Sequence, residues 1–333
     1  MCADMCKSVT TYAAFCVLTA LLMTGAAGSA QASRPYEEEK PRRSRFSLLR
    51  PARSNPETQL QYADHLLEKN RHRGARRQYR ALVRYWPHSR EAARAQLQYA
   101  RLLEDWGRES RAFEEYEKLI RSYAGLFPYN EVLERQFHIA AEHLEERRGR
   151  FLFFRKTATP ERAIPKFESL LENAPQWNRA PKVQYLLGRA HEMSRRYELA
   201  AHAYETVEAR YPRSEFVEDA SFGRARVLYR IAREQRNYDR AAETALIALN
   251  MFLRAYPESE HRDEALAYRE TLTTQRARIA WKKADYYDRI ARRPRAALMA
   301  YEMLMQDFPQ SEWHVFAESR AAEIRSILEK DNP

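Results

Sequence analysis

Few residues in this sequence stand where they could do chemistry. His138-Ile139-Ala140-Ala141-Glu142-His143 carries two imidazoles and a carboxylate, donor types that hold zinc and activate water. A zinc helix needs its histidines four apart on one face, or an H-x-x-E-H cluster. Here they are five apart, on different faces of a helix, so no metal site is expected. Neighbouring carboxylates such as Glu114-Glu115 and Glu145-Glu146 read as solvated helix faces. The sequence holds no glycine-rich phosphate loop and no G-x-S-x-G nucleophile turn. Its three cysteines, Cys2, Cys6 and Cys16, all precede residue 32, which leaves no thiol nucleophile beyond it. The expectation is a chain with no catalytic residue and no cofactor, not an enzyme.

The start of the chain bears on location. Lys7 precedes an apolar run from Tyr12 to Met23, about the length of a secretory signal core and too short to span a bilayer. Ala30-Gln31-Ala32 then offers a cleavage triplet, so residues 1–32 are expected to be a signal peptide. Cys6 follows Met5 and Cys16 follows Phe15, and neither fits an acylation signal. Residues 33–55 hold Pro35, Pro41, Pro51, three glutamates and six arginines, a composition expected to form a basic disordered linker. Such an arm suits anionic lipid, so contact with an outer-membrane surface is a possible role for it. The net charge of +11 also suits nucleic acid or acidic protein. Glu145-Glu146 beside Arg147-Arg148, and Glu234 between Arg233 and Arg236, read as interleaved charge without a clean basic stripe. No nucleic-acid partner is therefore expected.

The elements that position everything else are helices. Ala, Leu, Glu and Arg dominate, all good helix formers, and no strand of useful length alternates. Six segments repeat an Ala followed by a large apolar residue four on and another seven on. They are Ala75/Tyr79/Leu82, Ala112/Tyr116/Leu119, Ala163/Phe167/Leu170, Ala200/Tyr204/Val207, Ala245/Leu249/Phe252 and Ala297/Tyr301/Leu304. Offsets of four and seven share one helical face. A small Ala lets a neighbouring helix approach, and the ring fills the groove beside it. Pro87, Pro175, Pro212, Pro257 and Pro309 fall twelve after the Ala; each is expected to end its helix and sit in the first turn of the next. Ser89, Ser214, Ser259 and Ser311 follow two later as candidate N-caps. Upstream partners carry Ala63, Ala100 and Gly188 twelve residues before their Ala. His191 falls on such a partner helix and reads as core.

This pattern resembles the tetratricopeptide repeat (TPR), over residues 56–330. The resemblance implies an all-α fold: a right-handed superhelical array of about six helix pairs with a C-terminal capping helix, expected over Glu312 to Glu329. First helices of the pairs would line a concave groove that takes a helix or an extended peptide. Register places Leu60, Asp64, Leu97, Arg101, Tyr185 and Arg189 toward that groove as candidate partner-binding residues.

The C-terminal half narrows the resemblance. AYPESEHRDEALAY at 255–268 and WKKADYYDRIARRPRAALMAYEMLMQDFPQSEWHVF at 281–316 are similar to the outer-membrane β-barrel assembly lipoprotein family, known as BamD, ComL or YfiO. The resemblance implies a periplasmic scaffold at the inner face of the outer membrane. Its partners would be a β-barrel assembly component, docked by the C-terminal repeats, and unfolded outer-membrane proteins. The alternative is another periplasmic TPR adaptor, a cell-division or peptidoglycan-associated coordinator.

Overall fold

The computed structural model describes residues 49–144, 158–234 and 238–330, with the short backbone pairs 147–148 and 155–156. The proposed signal peptide and most of the basic linker lie outside the described residues. The described part belongs to one unit, 46–333.

Among the described residues the chain forms thirteen α-helices: α1 (Pro56–Glu68), α2 (His72–Tyr85), α3 (Arg90–Asp105), α4 (Glu109–Ser122), α5 (Tyr129–Ala141), α6 (Pro160–Asn173), α7 (Ala180–Met193), α8 (Tyr197–Arg210), α9 (Val217–Glu234), α10 (Tyr238–Ala255), α11 (Arg262–Asp285), α12 (Pro294–Asp307) and α13 (Glu312–Lys330). These are six consecutive pairs and a terminal helix, the all-α repeat architecture expected. Between α5 and α6, Arg147–Arg148 pairs antiparallel with Arg155–Lys156. Each helix packs on its chain neighbours, and first helices touch across pairs: α1 on α3, α7 on α9, α9 on α11 and α11 on α13.

The repeat alanines, rings and third-position residues make the core. All eighteen named above are at most 1% exposed, so the four-and-seven stripe is the buried face of every second helix. In the fourth pair the fit is tightest. A Cβ placed on Gly188 would stand 2.6 Å from the Tyr204 ring, and one on Gly223 would stand 2.8 Å from it. Tyr204 is thus held between two glycines from successive first helices.

The turn inside a pair is also repeated. Arg71, Arg108 and Arg196 each donate a backbone hydrogen bond of 2.8 to 2.9 Å to a carbonyl five residues back, after a residue of positive φ. That residue is Asn70, Gly107 or Arg195, and Arg292 takes the same conformation before α12. This is the left-handed C-terminal cap that satisfies orphan carbonyls; only Gly107 reaches it without a side-chain penalty.

The turn between pairs departs from expectation. Pro87, Pro175, Pro212, Pro257 and Pro309 lie in loops, after the helix they end and before the next begins. Prolines that do open helices are Pro56, Pro160, Pro181 and Pro294. Ser89 is an N-cap, accepting from the Ala92 amide at 3.1 Å. Ser214 and Ser259 instead accept from the amides of Phe216 and His261, just ahead of α9 and α11. Ser311 donates to the Phe308 carbonyl, which bends the loop without capping a helix.

The repeats are unevenly spaced along the chain because some pairs carry long helices. The fifth pair, α9 and α10, has 18 residues in each helix. The 24 residues of α11 run into a π-helical turn, Tyr286–Ile290, which widens the helix around Asp288.

Candidate partner-binding groove

Beneath the small-and-ring stripe lies a second pattern of polar contacts. Gln59 on α1, Gln96 on α3 and Gln184 on α7 are buried, and each donates to a second-helix carbonyl 19 residues on: those of Gln78, Glu115 and Ala203. A buried amide without partners would cost about 1–3 kcal/mol, so these bonds fix the register within a pair.

The ring positions carry a third pattern. Tyr116 donates to Glu104 at 2.7 Å, Tyr204 to Glu192 at 2.9 Å and Tyr301 to Asp288 at 3.4 Å. Each carboxylate then takes a guanidinium from the first helix of the following pair, or from α13. Arg135 reaches Glu104 at 3.2 Å, Arg226 holds Glu192 through two bonds of 2.8 Å, and Arg320 grips Asp288 through bonds of 2.6 and 3.0 Å. The contacts weld pair two to three, four to five, and six to the cap. Burial pushes the tyrosine hydroxyls up, Tyr301 to about 12. Burial pushes the Glu192 carboxyl up too, but Arg226 and Tyr204 outweigh it and hold the group below its usual range. The Asp288 carboxyl is held down chiefly by the Arg320 hydrogen bond.

The first pair breaks the pattern. Tyr79 donates to Asp64 at 2.6 Å, but no arginine of α3 closes over Asp64. Asp64 instead lines an open cleft of about 600 Å³ together with Leu60, Arg94, Leu97, Gln98, Leu126, Phe127 and others. The cleft combines a mostly polar lining over the nearly buried Leu60 and Leu97, a carboxylate already oriented by a tyrosine, and walls from α1, α3 and the α4–α5 loop.

Of the six residues placed toward the groove by register, the structure brings Leu60, Asp64 and Leu97 to this cleft. Arg101 is on the same helix but is taken up by Glu131 at 2.6 Å. Burial raises the Glu131 carboxyl, and Arg135 and Arg101 together bring it below its usual value. Tyr185 sits far along the array, stacked on Phe216 at 5.7 Å and beside Tyr204. Arg189 is exposed. The loop residues Leu126 and Phe127 were not legible, since only the turn after α4 swings them over α3. Of residues 49–55, Ala52 donates to Gln78, Arg53 donates to Gln59 and lies over the Tyr62 ring, and Asn55 caps α1 by accepting from Thr58.

The sequence reading of interleaved charge fails on α2. From Lys69 to Arg90 there are eight cationic side chains and no Asp or Glu. That span is a basic stripe, and it was visible in the sequence.

Comparison with known proteins bears directly on this architecture. Residues 60–127 match a tetratricopeptide-repeat model, and residues 178–332 match the YfiO model, described as an outer membrane lipoprotein. The N-terminal pairs are thus of tetratricopeptide-repeat type and the stretch from residue 178 is of YfiO type. No curated protein matches it. Among solved structures, it is similar to the TPR domain of P58(IPK), at 15% identity over 81% of this chain and 78% of that one, with a TM-score of 0.35. A TPR protein fragment from Cytophaga hutchinsonii is 15% identical over 79% and 87%, at 0.33. YrrB, described as a TPR protein with an unusual peptide-binding site, is 13% identical over 64% and 92%, at 0.32. Superposition scores at this level carry no argument about function. Among the described residues no group of side chains is arranged to hold a metal ion, and no helix is long and apolar enough to cross a membrane.

Proposed function

We propose that this chain is a periplasmic scaffold of outer-membrane protein assembly, exported by residues 1–32, tethered through residues 33–55 and binding partners with its repeat domain at 56–330. The observation that carries the reading is the match of residues 178–332 to an outer membrane lipoprotein family, on a repeat array of the kind that binds proteins. Two surfaces fit two partners. The C-terminal pairs expose Tyr286, Ile290, Met299, Met303, Val315 and Phe316, each more than half exposed, an apolar surface suited to a stable assembly component. The cleft of Leu60, Asp64 and Leu97 suits an extended or helical client segment: the leucines anchor it, and Asp64 takes a cationic side chain in the place filled by arginine in the second, fourth and sixth pairs. Arg101, Tyr185 and Arg189 support that groove face further along. No step of this role requires catalysis.

The test is affinity recovery from envelope membranes with tagged protein. Recovery of a large β-barrel protein with periplasmic domains is the expected result. Recovery restricted to cell-division or peptidoglycan-associated proteins would overturn the reading in favour of a different periplasmic adaptor. Met303→Glu with Phe316→Glu should abolish recovery of the barrel component, while Leu126→Glu, at an exposed residue of the cleft, should spare it and reduce bound unfolded clients.

A further inference from the structure

The acid-free stripe of α2 does not face the groove of Asp64. It forms a separate cleft of about 1330 Å³, lined by Arg71, Arg73, Arg76, Arg77, Arg80 and Arg108, with Asn70, His72, Trp106 and Leu49 among them and no carboxylate. Among the described residues none of these six arginines makes an ion pair, whereas arginines elsewhere in the array are drawn into them repeatedly. The Nε of Arg76 and the Nδ1 of His72 are both shielded from solvent without a hydrogen-bond partner. Six guanidinium groups lining one cleft repel one another, so an anion seated among them would stabilise the arrangement.

The lining tells which anion. A peptide groove needs pockets for apolar side chains, and the apolar surface of this cleft is Leu49, arginine stems and the Trp106 ring, over which the Arg76 guanidinium already lies at 5.3 Å. Single-stranded nucleic acid needs open rings for stacking, and the other nearby ring, Tyr99, is covered by Arg80 at 5.7 Å. What remains is charge spread along about two helical turns, roughly 10 Å from Arg73 to Arg80, too wide for one small anion. Arginine forks match phosphate oxygens two at a time. We propose that the α2 cleft holds phosphate groups of an anionic lipid surface, seating the first helix pair against the membrane face. This rests on the envelope location proposed above but not on the assembly role.

The experiment is co-sedimentation of the full chain with vesicles of phosphatidylglycerol mixed into phosphatidylcholine, against pure phosphatidylcholine. The variant Arg73→Gln, Arg77→Gln, Arg80→Gln removes three exposed cations and keeps Arg76 on Trp106. With each basic side chain near an anionic surface contributing about tenfold or less, its affinity for anionic vesicles should fall by about a hundredfold. Binding to neutral vesicles, which reads any insertion of the apolar run at Tyr12–Met23, should not change. The control Arg210→Gln, Arg213→Gln, Arg254→Gln removes the same charge from exposed sites on other pairs and should retain most of the binding. Equal losses in the two variants would reduce the effect to net charge and overturn the proposal. So would full competition by millimolar inorganic phosphate, which would make a free anion the ligand. An unchanged vesicle affinity with loss of binding to duplex DNA or to a polyglutamate peptide would overturn it as well. Retained barrel-component recovery by the α2 variant separates this outcome from failure of the assembly reading.

Discussion

The first and fourth helix pairs both set a tyrosine hydroxyl on a carboxylate, and they differ in what stands on its far side. In the fourth, Arg226 and Arg230 close over Glu192, whose side chain is 10% exposed. In the first, Asp64 is half-buried and opens onto the Leu60–Leu97 cleft. A carboxylate as enclosed as Glu192 needs its guanidinium, because a buried charge without a partner is strongly destabilising. Asp64 keeps access to water and needs none. The same repeat chemistry gives cohesion where the next helix supplies arginine and leaves an open carboxylate where it supplies Gln98.

Four measurements break or sharpen that contrast. Glu192→Ala strands Arg226 and the Tyr204 hydroxyl and should lower stability in urea unfolding by about 3 kcal/mol; Asp64→Ala should cost no more than about 1 kcal/mol. Equal losses would erase the distinction. Gly188→Ala drives a methyl into Tyr204 and should cost about 2 kcal/mol by thermal melting. In the first pair the corresponding residue is already Ala63, and Ala63→Gly should cost about 1 kcal/mol through helix propensity alone.

Acid titration should show the fourth pair failing in two stages. Burial and then Arg196 hold the His191 imidazole below its usual 6.5, and Glu192 is held below 4.5. A group with a lower pKa folded than unfolded stabilises the fold above its unfolded value, and that contribution is lost as pH falls through the folded value. Melting temperature should therefore decline below pH 6.5 and again below 4.5, and Glu192→Gln should lessen the second decline, to which Glu131 and Asp288 also contribute, without touching the first. The smallest effect is Asp64→Asn: stability should change by no more than about 0.5 kcal/mol, while affinity for a client segment bearing arginine falls. An Asp64→Asn variant that keeps full client binding would remove Asp64 from recognition.

The helices, their pairing and their buried stripe were legible because offsets of four and seven are a property of the helix itself. The cap over Glu312–Glu329 was legible for the same reason, and it matches α13. The glutamines sixteen residues before Ala75, Ala112 and Ala200 were legible too, yet a polar residue does not announce that it is buried. The Tyr–carboxylate–arginine welds were not readable. Their arginines lie 31, 34 and 32 residues beyond the carboxylates, a separation set by loops and helix lengths that no local rule fixes. The cleft of Asp64 was half-readable: register found Leu60, Asp64 and Leu97, while Tyr185 went instead to a ring cluster with Phe216.

Arg320 holds Asp288 in the manner of Arg135 on Glu104 and Arg226 on Glu192, and those two sit on the opening helices of further pairs. By that measure α13 stands where the first helix of a further pair would stand. Its hold on Asp288 joins it to the sixth pair as firmly as pairs are joined to each other, while Phe316 on the same helix is left facing water.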